Sequence, residues 1–148
     1  FALTDSFDFR AIDILRDFDP QVSRVPCIGN ELEQVLLNLL KNAAQAIHQG
    51  PHRSHGQIIL STRLNPPWVE IQVEDNGGGI PEHIRKRIFE PFFTTKEVGQ
   101  GTGLGLSVSY FIITNNHKGQ MEVQCRPGQG TTFTLRLPLA STSEAPDN

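Results

Sequence analysis

Two asparagines one helical turn apart, an Asp-Asn pair followed by three glycines, a cation-flanked phenylalanine cluster and a run of four alternating glycines carry the chemical potential of this chain. Asn38 and Asn42 belong to a polar series, Glu31, Gln34, Asn38, Asn42 and Gln45, whose spacing of three and four places it on one stripe of a helix. Asparagine is a poor helix former, so two in mid-helix need a reason. Either the stripe faces solvent, or an amide oxygen is offered to Mg²⁺, a hard ion that takes one or two protein oxygens and completes its shell with phosphate and water.

Asp75 follows an alternating segment and precedes Asn76-Gly77-Gly78-Gly79-Ile80. A carboxylate there can accept a hydrogen bond from the exocyclic amine of adenine, with Gly77 and Gly79 keeping the floor low and Ile80 packing on the ring. The same letters also spell an ordinary hairpin turn. Between Arg87 and Lys96, three phenylalanines serve either as a hydrophobic plug or as the hinge of a lid that carries both cations to a polyphosphate.

Gly99, Gly101, Gly103 and Gly105 alternate through G-Q-G-T-G-L-G-L-S. Glycine lets the backbone approach a ligand closely. The apolar Val108 to Thr114 follow, so the run delivers N–H groups to a helix start, where phosphate is favoured. A flexible linker would lie between polar segments, whereas Leu104 and Leu106 interleave this one. The spacing is neither that of a P-loop nor that of a dinucleotide fingerprint.

The elements that must position these groups follow from periodicity. Residues around Ile12, Ile14 and Phe18 form a short opening strand before Asp19-Pro20. Asn30 as N-cap with Glu33 as its capping-box acid opens a helix of about five turns, and Gly50-Pro51 stops it. Leu32, Val35, Leu36, Leu39, Leu40, Ala43 and Ile47 form its apolar face. Gln57 to Leu64 and Trp68 to Glu74 alternate as strands around Asn65-Pro66-Pro67, Pro81 starts a short helix, and Met121 to Cys125 and Thr132 to Leu137 are two further strands. His48, His52 and His55 straddle a helix stop and are expected in a solvated loop rather than around a metal. The expected architecture is an α+β two-layer sandwich, a mixed sheet of about five strands with three main helices on one face. One domain is expected over residues 1–139, with 140–148 a disordered tail.

Composition narrows the function. The 148 residues carry a net charge of −3 and 37% hydrophobic content, with no apolar run near the roughly 20 residues of a membrane span. No basic footprint for nucleic acid exists, so any phosphate site must be local. Cys27 and Cys125 make no metal pair or disulfide framework and suit a reducing compartment. Phe1 is not an initiator methionine, and the chain is expected to be a piece of something longer.

In order, E-L-E-Q-V-L-L-N-L-L-K-N-A, D-N-G-G-G-I, F-E-P-F-F-T-T-K and G-Q-G-T-G-L-G-L-S closely resemble the N, G1, F and G2 boxes of the sensor histidine kinase ATP-binding domain. That family shares the Bergerat fold with gyrase-type topoisomerases, ninety-kilodalton heat-shock chaperones and MutL mismatch-repair proteins. The resemblance implies ATP and Mg²⁺ as ligands, with Asn42 on the metal and Asp75 on adenine N6. Gly77, Gly79 and Ile80 would line the base, and Thr131 would support Asp75. The run Gly101, Thr102, Gly103, Leu104, Gly105 and Leu106 would cradle phosphate, and Arg87 and Lys96 match the lid cations. Many members carry a basic residue three positions after the metal asparagine, where this chain has Gln45.

One residue separates kinase from hydrolase. Hydrolysing relatives place a glutamate one turn before the metal asparagine as general base; here that position is Asn38, and an amide has no useful basicity. No histidine here lies in a phosphoacceptor context. The expectation is therefore a cytoplasmic ATP-binding catalytic domain that donates the γ-phosphoryl group to a histidine on a dimerisation domain of its parent protein, itself a homodimer serving a response regulator, with no nucleic-acid or membrane contact by this domain. The alternatives are a nucleotide-gated interaction module without chemistry and a chaperone- or topoisomerase-type ATPase.

Overall fold

The computed structural model describes residues 12–22, 27–90, 105–126 and 128–139. Most of the segment expected as a lid, with Lys96, and most of the glycine run, with Gly101, Thr102, Gly103 and Leu104, lie outside the described residues, as does the expected tail.

Alternating sequence builds one five-stranded sheet. Strands β1 (Ile12–Asp17), β2 (Gly56–Asn65), β3 (Trp68–Asp75), β4 (Gln120–Arg126) and β5 (Gly130–Pro138) run in the order β1-β2-β3-β5-β4. The first pair is parallel and the others antiparallel, so the sheet is mixed, as expected. Phe18 falls beyond β1 and is exposed, because the Asp19 turn has already begun: Gln21 N donates to Asp19 Oδ1 at 2.9 Å.

Residues opposite one another across a pair share a face. Leu60, Val73, Phe133 and Val123 form one row and Ile71, Leu135 and Met121 the next. The long helix α1 (Gly29–His48) lies over β2 and β3 on this apolar face, burying Val35, Leu39, Leu40, Ala43, Ala44 and Ile47. A one-turn helix α2 (Glu82–Arg85) follows Pro81, and α3 (Gly105–Phe111) continues into a π-helical turn, Ile112–Asn116. Ile88, Ile112 and Ile113 join the same core. On the opposite face the rows are polar: Gln72 Nε2 donates to Thr134 Oγ1, and Arg136 bridges Glu70 and Glu122.

The start of α1 differs from the expected capping box. Ile28, not Asn30, is the N-cap, and no side chain caps the helix. Asn30 is already inside the first turn. The Ile28 carbonyl accepts from Glu31 N and Leu32 N, and the Ile28 N–H donates to His117 Nε2 at 2.8 Å, so an imidazole from 89 residues away fixes where the helix begins.

Candidate functional site

The apolar face of the sheet ends in a row that is not apolar: Ile58, Asp75, Thr131 and Cys125 stand opposite one another. Asp75 is buried at 5% exposure and Thr131 at 3%. Burial pushes the Asp75 carboxyl up to about 6, against the backbone N–H groups of Gly77 and Thr131, which pull it down. Gly77 N donates to Asp75 Oδ1 at 2.8 Å, an Asx-type turn that aims the carboxylate. The Thr131 hydroxyl beside it is buried without a well-formed hydrogen bond, its neighbour across the strands being the weakly hydrogen-bonding Cys125 thiol. A buried hydroxyl without a good partner is costly in a protein interior, and a bound group with a donor or acceptor would relieve it.

Below this row backbone packs on backbone. A Cβ on Gly77 would stand 2.8 Å from the Ala46 backbone of α1, and one on Gly130 would stand 2.0 Å from the Asp75 carbonyl oxygen. Gly79, expected in the floor, takes φ +79°, and Gly128 N donates to Gly78 O at 2.7 Å. Asn76 pins the loop by accepting from Gln57 N and donating to His55 O, both at 2.8 Å. Ile80 is half-buried against the core.

Four and eight residues before Ala46, α1 presents Asn42 and Asn38. Asn42 Nδ2 donates to the Asn38 carbonyl at 2.8 Å, which sets the donor end of that amide toward the helix and its oxygen at the opposite end. Asn38 Nδ2 donates to Gly105 O at 3.3 Å and Ser109 Oγ at 3.2 Å, tying α1 to the last glycine of the run. Leu106 packs half-buried on the core.

The first residues of the segment expected as a lid, Ile88 and Phe89, pack on the core. Phe89 stacks on Tyr110 of α3 with ring centroids 4.7 Å apart and meets Phe133 edge-on at 6.5 Å, while Arg87 Nε pairs with Glu90 Oε1 at 3.2 Å on the surface. Among the described residues no group of histidines, cysteines and acids could hold a metal ion, and His52 instead contacts Gly128 O. No helix among them is long and apolar enough to cross a membrane.

Sequence reasoning therefore located Asp75, Gly77 and Thr131 at one end and Asn38, Asn42 and Gly105 at the other, and the structure brings each group together. It missed Ser109, Gly130 and His117. Gly130 carried a readable signal, a glycine at the start of an alternating strand. Ser109 carried none, since serine in a short helix is unremarkable until its burial is known.

The fold is a two-layer sandwich in which one long helix lies over the apolar face of a mixed sheet. The family described as histidine kinase-, DNA gyrase B- and HSP90-like ATPases matches residues 28–141, and the chain belongs to it. The catalytic domain of histidine kinase ThkA superposes with a TM-score of 0.77 at 34% identity, covering 93% of this chain and 86% of that one. The two-component sensor PprA of Pseudomonas aeruginosa is 47% identical over 119 residues, 79% of this chain. ThkA solved in complex with the response regulator TrrA gives a TM-score of 0.72 at 30% identity, covering 94% of this chain and 38% of that one. The chain spans 13% of PprA and between 12% and 38% of seven further curated relatives.

Proposed function

We propose that this domain binds Mg·ATP and donates the γ-phosphoryl group to a histidine on a separate helical dimerisation domain, in a two-component sensor that serves a response regulator. The observation that carries the reading is the division of labour along α1. Ala46 abuts the Gly77 floor, Asn42 lies one turn earlier, and Asn38 one turn earlier still grips Gly105. Eight residues of helix span about 12 Å, the scale of a nucleotide laid along the helix with its base at Asp75 and its phosphates at Gly105.

Within that frame Asp75 accepts the adenine amine, and the poorly satisfied Thr131 hydroxyl supplies a second polar contact to the base edge. Gly77, Gly79 and Ile80 form floor and wall. Asn42 offers its amide oxygen to Mg²⁺, and this fits an ion that needs few protein oxygens when phosphates supply the rest. When bound, the metal neutralises developing charge on the phosphates. Gly105 and Leu106 end the phosphate-cradling run begun by Gly101, Thr102, Gly103 and Leu104, and Arg87 and Lys96 are the lid cations.

Transfer is favoured over hydrolysis because Asn38, where a hydrolase needs its base, is an amide engaged as a donor to Gly105 and Ser109. It orients; it does not take a proton from water. The test is calorimetric titration of the chain with Mg·ATP. Saturable heat that returns to baseline, lost in Asp75→Ala and much weaker with Mg·GTP, is expected. Absence of saturable binding, or sustained heat after saturation, overturns the reading.

A further inference from the structure

Ser109 is fully buried on α3, yet it belongs to none of the sequence clusters and has no place in the base or lid contacts. Its hydroxyl accepts from Asn38 Nδ2 at 3.2 Å, and the same amide nitrogen reaches Gly105 O at 3.3 Å. Residues 105 and 109 are one helical turn apart, so a single amide grips α3 at two points. The backbone oxygen of Asn38 in turn accepts from Asn42 Nδ2 at 2.8 Å.

We propose that Ser109 is a positioning residue: through Asn38 it sets the register of α3 against α1, and so the distance between the Asn42 amide oxygen and the phosphate-facing start of α3. This rests on the reading of Asn42 as a metal-binding residue. The physical argument is one of degrees of freedom. A single hydrogen bond to Gly105 leaves α3 free to roll about that contact, and apolar packing between helices is non-directional. The second bond, one turn further along, removes the roll. The Gly105 carbonyl, which can only accept, selects the NH₂ end of the Asn38 amide, and the Ser109 hydroxyl gives the second N–H of that group its acceptor. Small errors in the placement of groups around a reacting phosphate carry large penalties, so a device that holds two helices in register suits this point of the fold.

The experiment measures ATP affinity of the chain twice by calorimetry, in excess EDTA and in saturating Mg²⁺, and takes the ratio as the metal-dependent gain. Ser109→Ala is expected to cut that gain about three- to tenfold, the range set by loss of one directed hydrogen bond, while affinity in EDTA stays within about twofold. Ser109→Cys, which fills the site with a slightly larger atom that is only a weak acceptor, is expected to behave likewise and covers the case in which Ala does not fold. Asn42→Ala is the control for the underlying reading and should abolish the gain. A gain unchanged in Ser109→Ala and Ser109→Cys but abolished in Asn42→Ala overturns the role of Ser109 alone. Equal losses with and without metal reduce Ser109 to a packing residue and also overturn it. A gain that survives Asn42→Ala removes the metal reading and this inference together.

Discussion

The two ends of the site are built from different materials. At the proposed base end, Asp75 and Thr131 sit in a core row of the sheet above glycines that let backbone touch backbone. At the proposed metal end, position is held by amide side chains that are only half-buried and by one hidden hydroxyl. Steric contact between backbones is nearly all-or-none, because main chain cannot rotate out of the way. Side-chain hydrogen bonds are graded, each worth about 0.5–1.5 kcal/mol net. The base pocket should therefore resist change and fail abruptly, while the metal end should yield in steps.

The sharpest break of that contrast is Gly130→Ala. Its φ of +143° lies where side-chain-bearing residues are strained, and the new Cβ would stand 2.0 Å from the Asp75 carbonyl oxygen. Either β5 or the end of β3 must move, and the carboxylate moves with it. We expect a loss of more than about 3 kcal/mol, from strain and overpacking together, read as a shifted urea midpoint, with nucleotide binding lost even where the protein still folds. A variant of normal stability that binds ATP would show the base end to be as pliable as the metal end.

Next in size is Asp75→Asn, which separates stability from function. The folded carboxyl titrates near 6, above the ~3.9 of an unfolded aspartate. The unfolded chain therefore gives up this proton first as pH rises. The contribution of Asp75 to stability is full below about pH 4, is lost between about pH 4 and 6, and stays lost above. A two-unit shift corresponds to about 3 kcal/mol. Asparagine keeps an oxygen for the Gly77 N–H but carries no charge to desolvate. It should stabilise the empty domain by about 1–3 kcal/mol at pH 7.5 and by little at pH 4, while ATP binding disappears. Urea unfolding at the two pH values decides it; an equal gain at both would mean that the carboxylate is not the source of the cost.

How much of this was legible in the sequence follows the same division. The apolar period of α1 and the alternation of the strands gave the layers, and the motif residues Asp75 and Thr131 were read on strands that the fold pairs, with Asn42 on the helix expected for it. What escaped depends on long-range approach. Asn30 and Glu33 have the right types for a capping box, yet the helix starts at Gly29 because His117 reaches across to hold the Ile28 N–H. The π-helical turn after Phe111 leaves no periodic trace in Ile112 to Asn116. Ser109 reads as an indifferent helix residue until α1 and α3 are packed together, and the poorly satisfied Thr131 hydroxyl arises only once β5 lies beside β3.

Gly105 offers the smallest and most discriminating change, because it is a glycine at the graded end. A Cβ there would meet the Asn38 side chain at 3.8–3.9 Å, ordinary contact among the described atoms, and its φ is not positive. Gly105 is the first residue of α3, so alanine there gains at most part of the roughly 0.5–1 kcal/mol that it gains over glycine in a helix interior. Gly105→Ala should therefore raise thermal stability slightly, the opposite sign to Gly130→Ala. If ATP affinity nonetheless falls, fold and ligand make separate demands at this position: the backbone tolerates a methyl group that the phosphates do not. Retained affinity would instead place the phosphates further back along the glycine run, and the grip of Asn38 on Gly105 would then serve the packing of two helices and not the nucleotide.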